Sequence, residues 1–307
     1  FVTAGVPPVI DFAAQSARPR RRFRGRFNAR PSLQERASPS QPLIDGPLRA
    51  GVVGLGSFGK HHARHYGMNA DARLIGVADV DEPRARAAGA QYGCAGYVDH
   101  RDLIGKVDAV SITVPARLHH RVARDFLDAG VHVLIEKPIT ADSTAARDLI
   151  DAADKANVIL QVGHLERFSP VVDALRQRVT SPRRISASRR TPWTGRSTDV
   201  DVVLDLMIHD IDLALMLAGR PVASVAASGV IGRSGRVDEA EAWLTFAGGA
   251  IATLSASRVA DEGERRIVVT EPATVFSGDL GGSTLTSLRR GERGAEPVAI
   301  PVANRDA

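Results

Sequence analysis

At 307 residues and 44% apolar content, the chain is long enough for two domains and can build a core in each. Its formal charge of +5 is no sign of a nucleic-acid or membrane-surface role: residues 1 to 47 hold eight arginines against three acids, which is the whole excess, and the remaining body is balanced. One cysteine, Cys94, excludes an internal disulfide and a multi-cysteine zinc site, and no apolar run of about eighteen residues is present to span a bilayer, so a cytoplasmic protein is expected.

Residues 1 to 47 read as a disordered basic extension. Phe1 to Ala14 is broken by Pro7, Pro8 and Asp11 and has no basic region before it, which argues against a secretory signal. The following Arg18-Pro-Arg-Arg-Arg-Phe-Arg-Gly-Arg-Phe27 and its Ser/Pro/Gln continuation bury too little apolar surface to offset their ordering entropy. Their wealth of Arg and Ser and their few acids also suit a transit peptide or an anion-binding arm.

From Leu48 a strand (49 to 54) runs into Gly54-Leu-Gly56-Ser57-Phe58-Gly59, then a helix (57 to 68) and a second strand (73 to 79) ending on Asp79, twenty residues beyond Gly59. In such a turn the first glycine allows the tight bend, the second lets backbone approach a pyrophosphate, and the third lets helix and strand pack closely. The pyrophosphate would rest on the helix N-terminus at Ser57 and Phe58, where unpaired N–H groups favour negative charge. Asp79 would accept from ribose hydroxyls and repel a 2′-phosphate, so the expected cofactor is NAD.

The alternation continues with strands at 95 to 98, 108 to 114, 131 to 135 and 158 to 162 and helices at 81 to 92, 100 to 105, 118 to 129 and 141 to 156, the rhythm of a doubly wound parallel sheet. The strand Asp108 to Val114 stops at Pro115, where a ligand-facing loop should open, and His119 beyond it can touch the cofactor or cap the next helix. His61, His62 and His65 on the first helix read as a solvated or cofactor-side face, since adjacent histidines point apart. The fifth strand ends in Glu136-Lys137-Pro138, beside the expected nicotinamide. Proline keeps Lys137 out of a helix and able to point into a cleft; the plain alternative is a solvated lysine, against which stands the choice of lysine in a chain with four of them and 36 arginines.

A second domain is expected over 169 to 307, after a first one over 48 to 168. It reads as a helix (169 to 178), a strand (184 to 189), a polar loop (191 to 201), a long helix (202 to 218) and β segments at 222 to 232, 240 to 247, 250 to 258, 265 to 270 and 273 to 277. Together they predict an α+β domain with an open, mostly antiparallel sheet. In the long helix Leu204, Ile208, Ile211 and Leu215 form one apolar stripe and Leu206, Leu213 and Leu217 another, with Asp205, His209 and Asp212 wedged between. Polar groups on a buried face are paired or functional: Asp205 either simply satisfies His209 or orients it as a general base. Two ligands on one face do not make a metal site, and none is expected.

With these motifs in place the chain resembles the Gfo/Idh/MocA oxidoreductase family over residues 48 to 307. The resemblance rests on G-L-G-S-F-G at 54 to 59, on Val114-Pro-Ala-Arg-Leu-His119 with Ala129-Gly130, on Glu136-Lys-Pro138 and on Asp205-x-x-x-His209. It implies a Rossmann domain followed by an α/β domain with an open sheet, NAD as cofactor, and an active site of Lys137, Asp205 and His209; since an ordinary histidine lies nearer neutrality than a lysine, His209 is preferred over Lys137 as base. Cofactor contacts would fall on Gly54, Gly56, Ser57, Phe58, Gly59, Asp79, Pro115, His119, Glu136 and Lys137. Met207 stands where the family often has glycine, and Leu206-Met-Ile-His-Asp-Ile-Asp212 with Gly163-His-Leu-Glu-Arg-Phe168 is similar to the branch that oxidises the C3 hydroxyl of UDP-N-acetylglucosamine. Arg167 and Arg196 are then candidates for the diphosphate. Another sugar or cyclitol is the nearest alternative substrate, and a cofactor-binding regulatory protein without turnover the alternative of another class. A homodimer or homotetramer is implied, and the family's usual returning C-terminal helix is missing, which suggests truncation.

Overall fold

The computed structural model describes residues 10–11, 46–198 and 200–303. Most of the basic extension therefore lies outside the described residues; Ile10–Asp11, here β1, is the exception and forms two residues of strand. The described residues fall into two compact units, one ending at Gly163 and the other running from His164 and including β1.

In the first unit β2 (Leu48–Val53), β3 (Ala72–Ala78), β4 (Ala95–Tyr97), β5 (Ala109–Ile112), β6 (His132–Ile135) and β7 (Leu160–Val162) form one sheet in the order β4-β3-β2-β5-β6-β7. Every pair is parallel, as the strand-helix rhythm requires. Val110, Ser111 and Ile112 are successive residues of β5 and all three are fully buried. Successive side chains point to opposite faces, so both faces of the sheet are covered.

The helices are α1 (Gly59–Met68), α2 (Glu82–Tyr92), α3 (Ala116–Asp128) and α4 (Ser143–Ala156). Asp81 caps α2 by accepting from the Arg84 amide, and Gly93 ends it in the left-handed conformation; Asp142 caps α4 through the Thr144 and Ala145 amides. The helix expected over 100 to 105 is a single 3₁₀ turn, His100–Leu103, before Gly105 at φ +79°. Phe126 and Leu127 of α3 and Leu149 of α4 pack with Val110, Ile112 and Ile135 in the core. Each such side chain contributes roughly 1.5–3 kcal/mol by leaving water.

The second unit holds α5 (Pro170–Arg176), α6 (Ile208–Ala218) and strands β8 (Arg184–Arg190), β9 (Val222–Ile231), β10 (Val237–Phe246), β11 (Ile251–Ser257), β12 (Glu264–Thr270), β13 (Thr274–Asp279), β14 (Thr284–Arg289) and β15 (Val298–Ile300). With β1 at one edge they form a nine-stranded sheet ordered β1-β9-β10-β11-β8-β12-β13-β14-β15. All neighbours are antiparallel except β11 and β8. Along β10, Asp238, Ala240, Ala242, Leu244 and Phe246 are buried while Glu239, Glu241, Trp243 and Thr245 are exposed, so one face is packed and the other open. Leu175 of α5 and Leu213 of α6 close the packed face together with Ile185 and Phe246. β14 and β15 extend the sheet beyond the strands predicted from the sequence.

One element differs in kind from its expectation. The helix over 202 to 218 is a π turn, Val203–Met207, followed by α6. Its wider i→i+5 spacing breaks the 3.6-residue rhythm on which the apolar stripes were drawn. Leu215 is accordingly 41% exposed, and the residues actually buried here are Met207, Asp210, Asp212, Leu213, Ala214 and Leu217.

Candidate functional site

The glycine turn after β2 is built as a cradle. Gly54 sits at φ +87°, and a Cβ on Gly59 would stand 1.8 Å from the Gly54 carbonyl oxygen, so no other residue fits there. The Thr113 hydroxyl donates to the carbonyls of Gly54 (2.6 Å) and Val53 (3.1 Å), pinning the bend to the end of β5. At Gly56 nothing lies within 4 Å of a would-be Cβ, and Gly56, Ser57 and Phe58 are all exposed. A phosphate thus has open access to backbone at the start of α1.

Asp79, at the end of β3, is 8% exposed and already organised. One carboxylate oxygen accepts from the Leu55 amide (2.7 Å) and the other from the Asp81 amide (2.9 Å), while Arg84 Nη1 reaches both at 3.1 and 3.2 Å. The two backbone bonds lock the carboxylate in place; the half-exposed Arg84 is the partner that incoming ribose hydroxyls could displace or share. Sequence pattern does not reveal Arg84, because only the first turn of α2 brings it back over Asp79. The open cradle, the phosphate-ready helix end and the fixed acid fit a dinucleotide with an unmodified ribose, as NAD has.

Two residues expected at the cofactor are buried and hydrogen-bonded within the protein. His119 is 1% exposed, with Nδ1 2.8 Å from the Pro138 carbonyl and Nε2 2.8 Å from the Val114 carbonyl. Both ring nitrogens are engaged by backbone, so it ties the start of α3 to the turn after β6. Glu136 is also buried, its Oε1 3.1 Å from His62 Nε2 and its Oε2 accepting from the Lys137 amide at 3.3 Å. Of the three histidines read as a solvated or cofactor-side face, His62 is thus partly buried against Glu136, while His61 and His65 are exposed. Pro115 stands at the N-terminus of α3, and Lys137 is half-buried at the end of β6.

In the second unit, Asp201 caps the π turn by accepting from the Leu204 amide at 2.9 Å. Asp205 and His209 lie on either side of the junction with α6, both half-buried. Around them the charges are paired closely. Arg189 (3% exposed) forks onto Asp210 (1% exposed), with Nη2 at 3.0 Å, and its Nη1 donates to Glu166 at 2.8 Å. Burial pushes the Asp210 carboxyl up, with Glu166 adding repulsion, while Arg189 pulls it down.

Asp212 takes both arms of Arg167, Nε at 2.6 Å, and lies 3.9 Å from His164 Nδ1. Arg167, expected to meet a diphosphate, thus presents its fork to a carboxylate of its own unit. Arg196 is exposed on the loop after β8, next to Ser197, whose carbonyl accepts from the buried Arg258 at 2.8 Å. Among the described residues no cluster of three metal-ligating side chains occurs, and no helix is long and apolar enough to cross a membrane.

Comparison with known proteins agrees with this geometry. Residues 48–164 match the oxidoreductase family model with the NAD-binding Rossmann fold, and residues 172–281 match the C-terminal domain of the same Gfo/Idh/MocA family. The chain is 39% identical to the UDP-N-acetylglucosamine 3-dehydrogenase of Acidithiobacillus ferrooxidans over 85% of each protein, and the solved structure of that enzyme superimposes with a TM-score of 0.79 over 85% of this chain and 84% of the other. It is 32% identical to an inositol 2-dehydrogenase of Rhizobium meliloti over 84% of this chain and 79% of the relative. The glycine cradle, the fixed Asp79 and these matches together establish that the chain belongs to the Gfo/Idh/MocA family of NAD-dependent oxidoreductases.

Proposed function

We propose that the protein oxidises the C3 hydroxyl of UDP-N-acetylglucosamine, with Lys137, Asp205 and His209 as its active-site residues. The observation that carries this reading is the 39% identity over 85% of both chains to an enzyme of that activity, well above the identity to the inositol dehydrogenase. Bound NAD supplies a hydride acceptor. The chain's part is to take the hydroxyl proton onto the His209 imidazole as the carbinol carbon gives up its hydride, so that the alcohol becomes a ketone. Histidine starts near neutral pKa, which suits a base at physiological pH. Asp205 orients the ring, and the Lys137 ammonium donates to the sugar oxygen and steadies its developing negative charge.

Gly54, Gly56, Ser57, Phe58, Gly59, Asp79 and Pro115 hold the cofactor in this scheme, and exposed Arg196 remains the candidate for the diphosphate. The protein is placed in the cytoplasm and assembles as a homodimer or homotetramer through the open face of its second sheet, where Trp243 is 45% exposed. The deciding assay follows NADH appearance with UDP-N-acetylglucosamine, myo-inositol and glucose in parallel. Turnover with the nucleotide sugar is expected. Turnover with free inositol or glucose alone overturns the substrate, and NAD binding without oxidation of any of them favours a regulatory protein.

A further inference from the structure

Ser111 is a fully buried serine between Val110 and Ile112 in the middle of β5. Its Oγ lies 2.9 Å from the Tyr66 phenol and 3.1 Å from His62 Nδ1, and His62 Nε2 lies 3.1 Å from Glu136 Oε1. The four side chains form one hydrogen-bonded chain from α1, through β5, to the end of β6. Donor and acceptor chemistry gives it a direction. A Glu136 carboxylate only accepts, so His62 Nε2 carries the proton; in the neutral imidazole Nδ1 then accepts from the Ser111 hydroxyl, which leaves Ser111 Oγ to accept from Tyr66. Each bond made this way polarises the next.

The far end of this chain is the turn that presents Lys137. Glu136 Oε2 accepts from the Lys137 amide, and a Cβ on Gly163 would stand only 2.9 Å from Oε1, so β7 closes on the carboxylate and limits its rotation. Mere neutralisation of a buried acid is done elsewhere in this molecule by arginine, as Arg189 does for Asp210. Glu136 is met instead at one oxygen by a histidine whose other nitrogen is committed to Ser111, so that the carboxylate is held from the side of α1. We propose that His62 is a positioning residue for Lys137, acting through Glu136 and held in its tautomer by Ser111 and Tyr66. This rests on the reading of Lys137 as an active-site group.

The test measures acylation rates of individual lysines by mass spectrometry in the NAD-bound protein, which needs no substrate. His62→Leu is expected to change the rate at Lys137, relative to Lys106 and Lys155, by about threefold or more, and His62→Gln, whose amide can still donate to Glu136, to stay within about 1.5-fold of wild type. Tyr66→Phe should shift Lys137 in the same direction by less, and it serves if the leucine variant does not fold. Steady-state assay with NAD and UDP-N-acetylglucosamine should show kcat for His62→Leu down by about tenfold with KM for NAD within about twofold, and little further loss on a Lys137→Met background. An unchanged Lys137 rate in both His62→Leu and Tyr66→Phe overturns the proposal, as does full additivity with Lys137→Met. Full turnover by Lys137→Met sinks the catalytic reading of the lysine instead, while the labelling still decides whether His62 sets its posture.

Discussion

Two pairs of buried carboxylates, one pair in each unit, are held in opposite ways. In the second, Asp210 and Asp238 are enclosed and each faces an arginine that is itself enclosed, Arg189 and Arg258. In the first, the buried acids Asp79 and Glu136 stand at the C-terminal edge of parallel strands and take backbone amides together with a partner that is not an enclosed arginine, Arg84 or His62. A buried acid locked to a buried guanidinium is framework, because removing either partner strands a charge. Asp79, held by two amides beside a half-exposed arginine, keeps its geometry while that partner changes, which is what a ligand site needs.

The contrast is broken hardest at Arg189. Arg189→Met leaves buried Asp210 and partly buried Glu166 without their cation and should destabilise the second unit by about 3–5 kcal/mol, read from denaturant unfolding; adding Asp210→Leu should recover much of it. A smaller effect is expected at Asp79. Asp79→Asn keeps the shape but loses the charge that orders the ribose, and should weaken NAD binding roughly tenfold, about 1.4 kcal/mol, by fluorescence titration. Arg84→Ala should move stability by no more than about 0.5 kcal/mol, as expected of a half-exposed partner; a loss like that at Arg189 would erase the distinction between the units.

The smallest effect is a pH slope. Burial works against the Asp238 carboxylate, but hydrogen bonds from Ser234 and from Arg258 outweigh it and hold the group below its ordinary value. A depressed carboxyl contributes stability that is present above its unfolded value, about 4, and is lost as pH falls through the folded one. Unfolding midpoints should therefore decline on acidification below that point, and Asp238→Asn should flatten the decline. A decline of unchanged slope would show that Asp238 is not the group responsible.

The first unit was legible because its signals are local. Gly54, Gly56 and Gly59 follow an apolar strand directly, Asp79 ends the next strand, and the β5 apolar run announces a sheet covered on both faces. What stayed hidden joins residues far apart. His62 meets Glu136 across 74 positions and Arg167 meets Asp212 across 45, and neither spacing carries a pattern. The helix over 202 to 218 misled for a different reason: one π turn shifts every later residue around the axis, so the stripe containing Leu215 faced outward while Asp210 turned in beside the expected Asp212. β14 was missed because Thr284-Leu-Thr-Ser-Leu-Arg289 alternates only weakly.

The parallel pairing of β8 with β11 bears on how the polypeptide is made. Ser186 must wait for Thr253, 67 positions later, and β12 closes the other side of β8 only when residues 264 to 270 emerge. On the ribosome the strands β2 to β7 are complete by Val162, so the first unit can collapse on the nascent chain while β8 still lacks both neighbours. Until translation passes Thr270, the exposed edges of that one strand are where a chaperone or a misfolded partner would take hold.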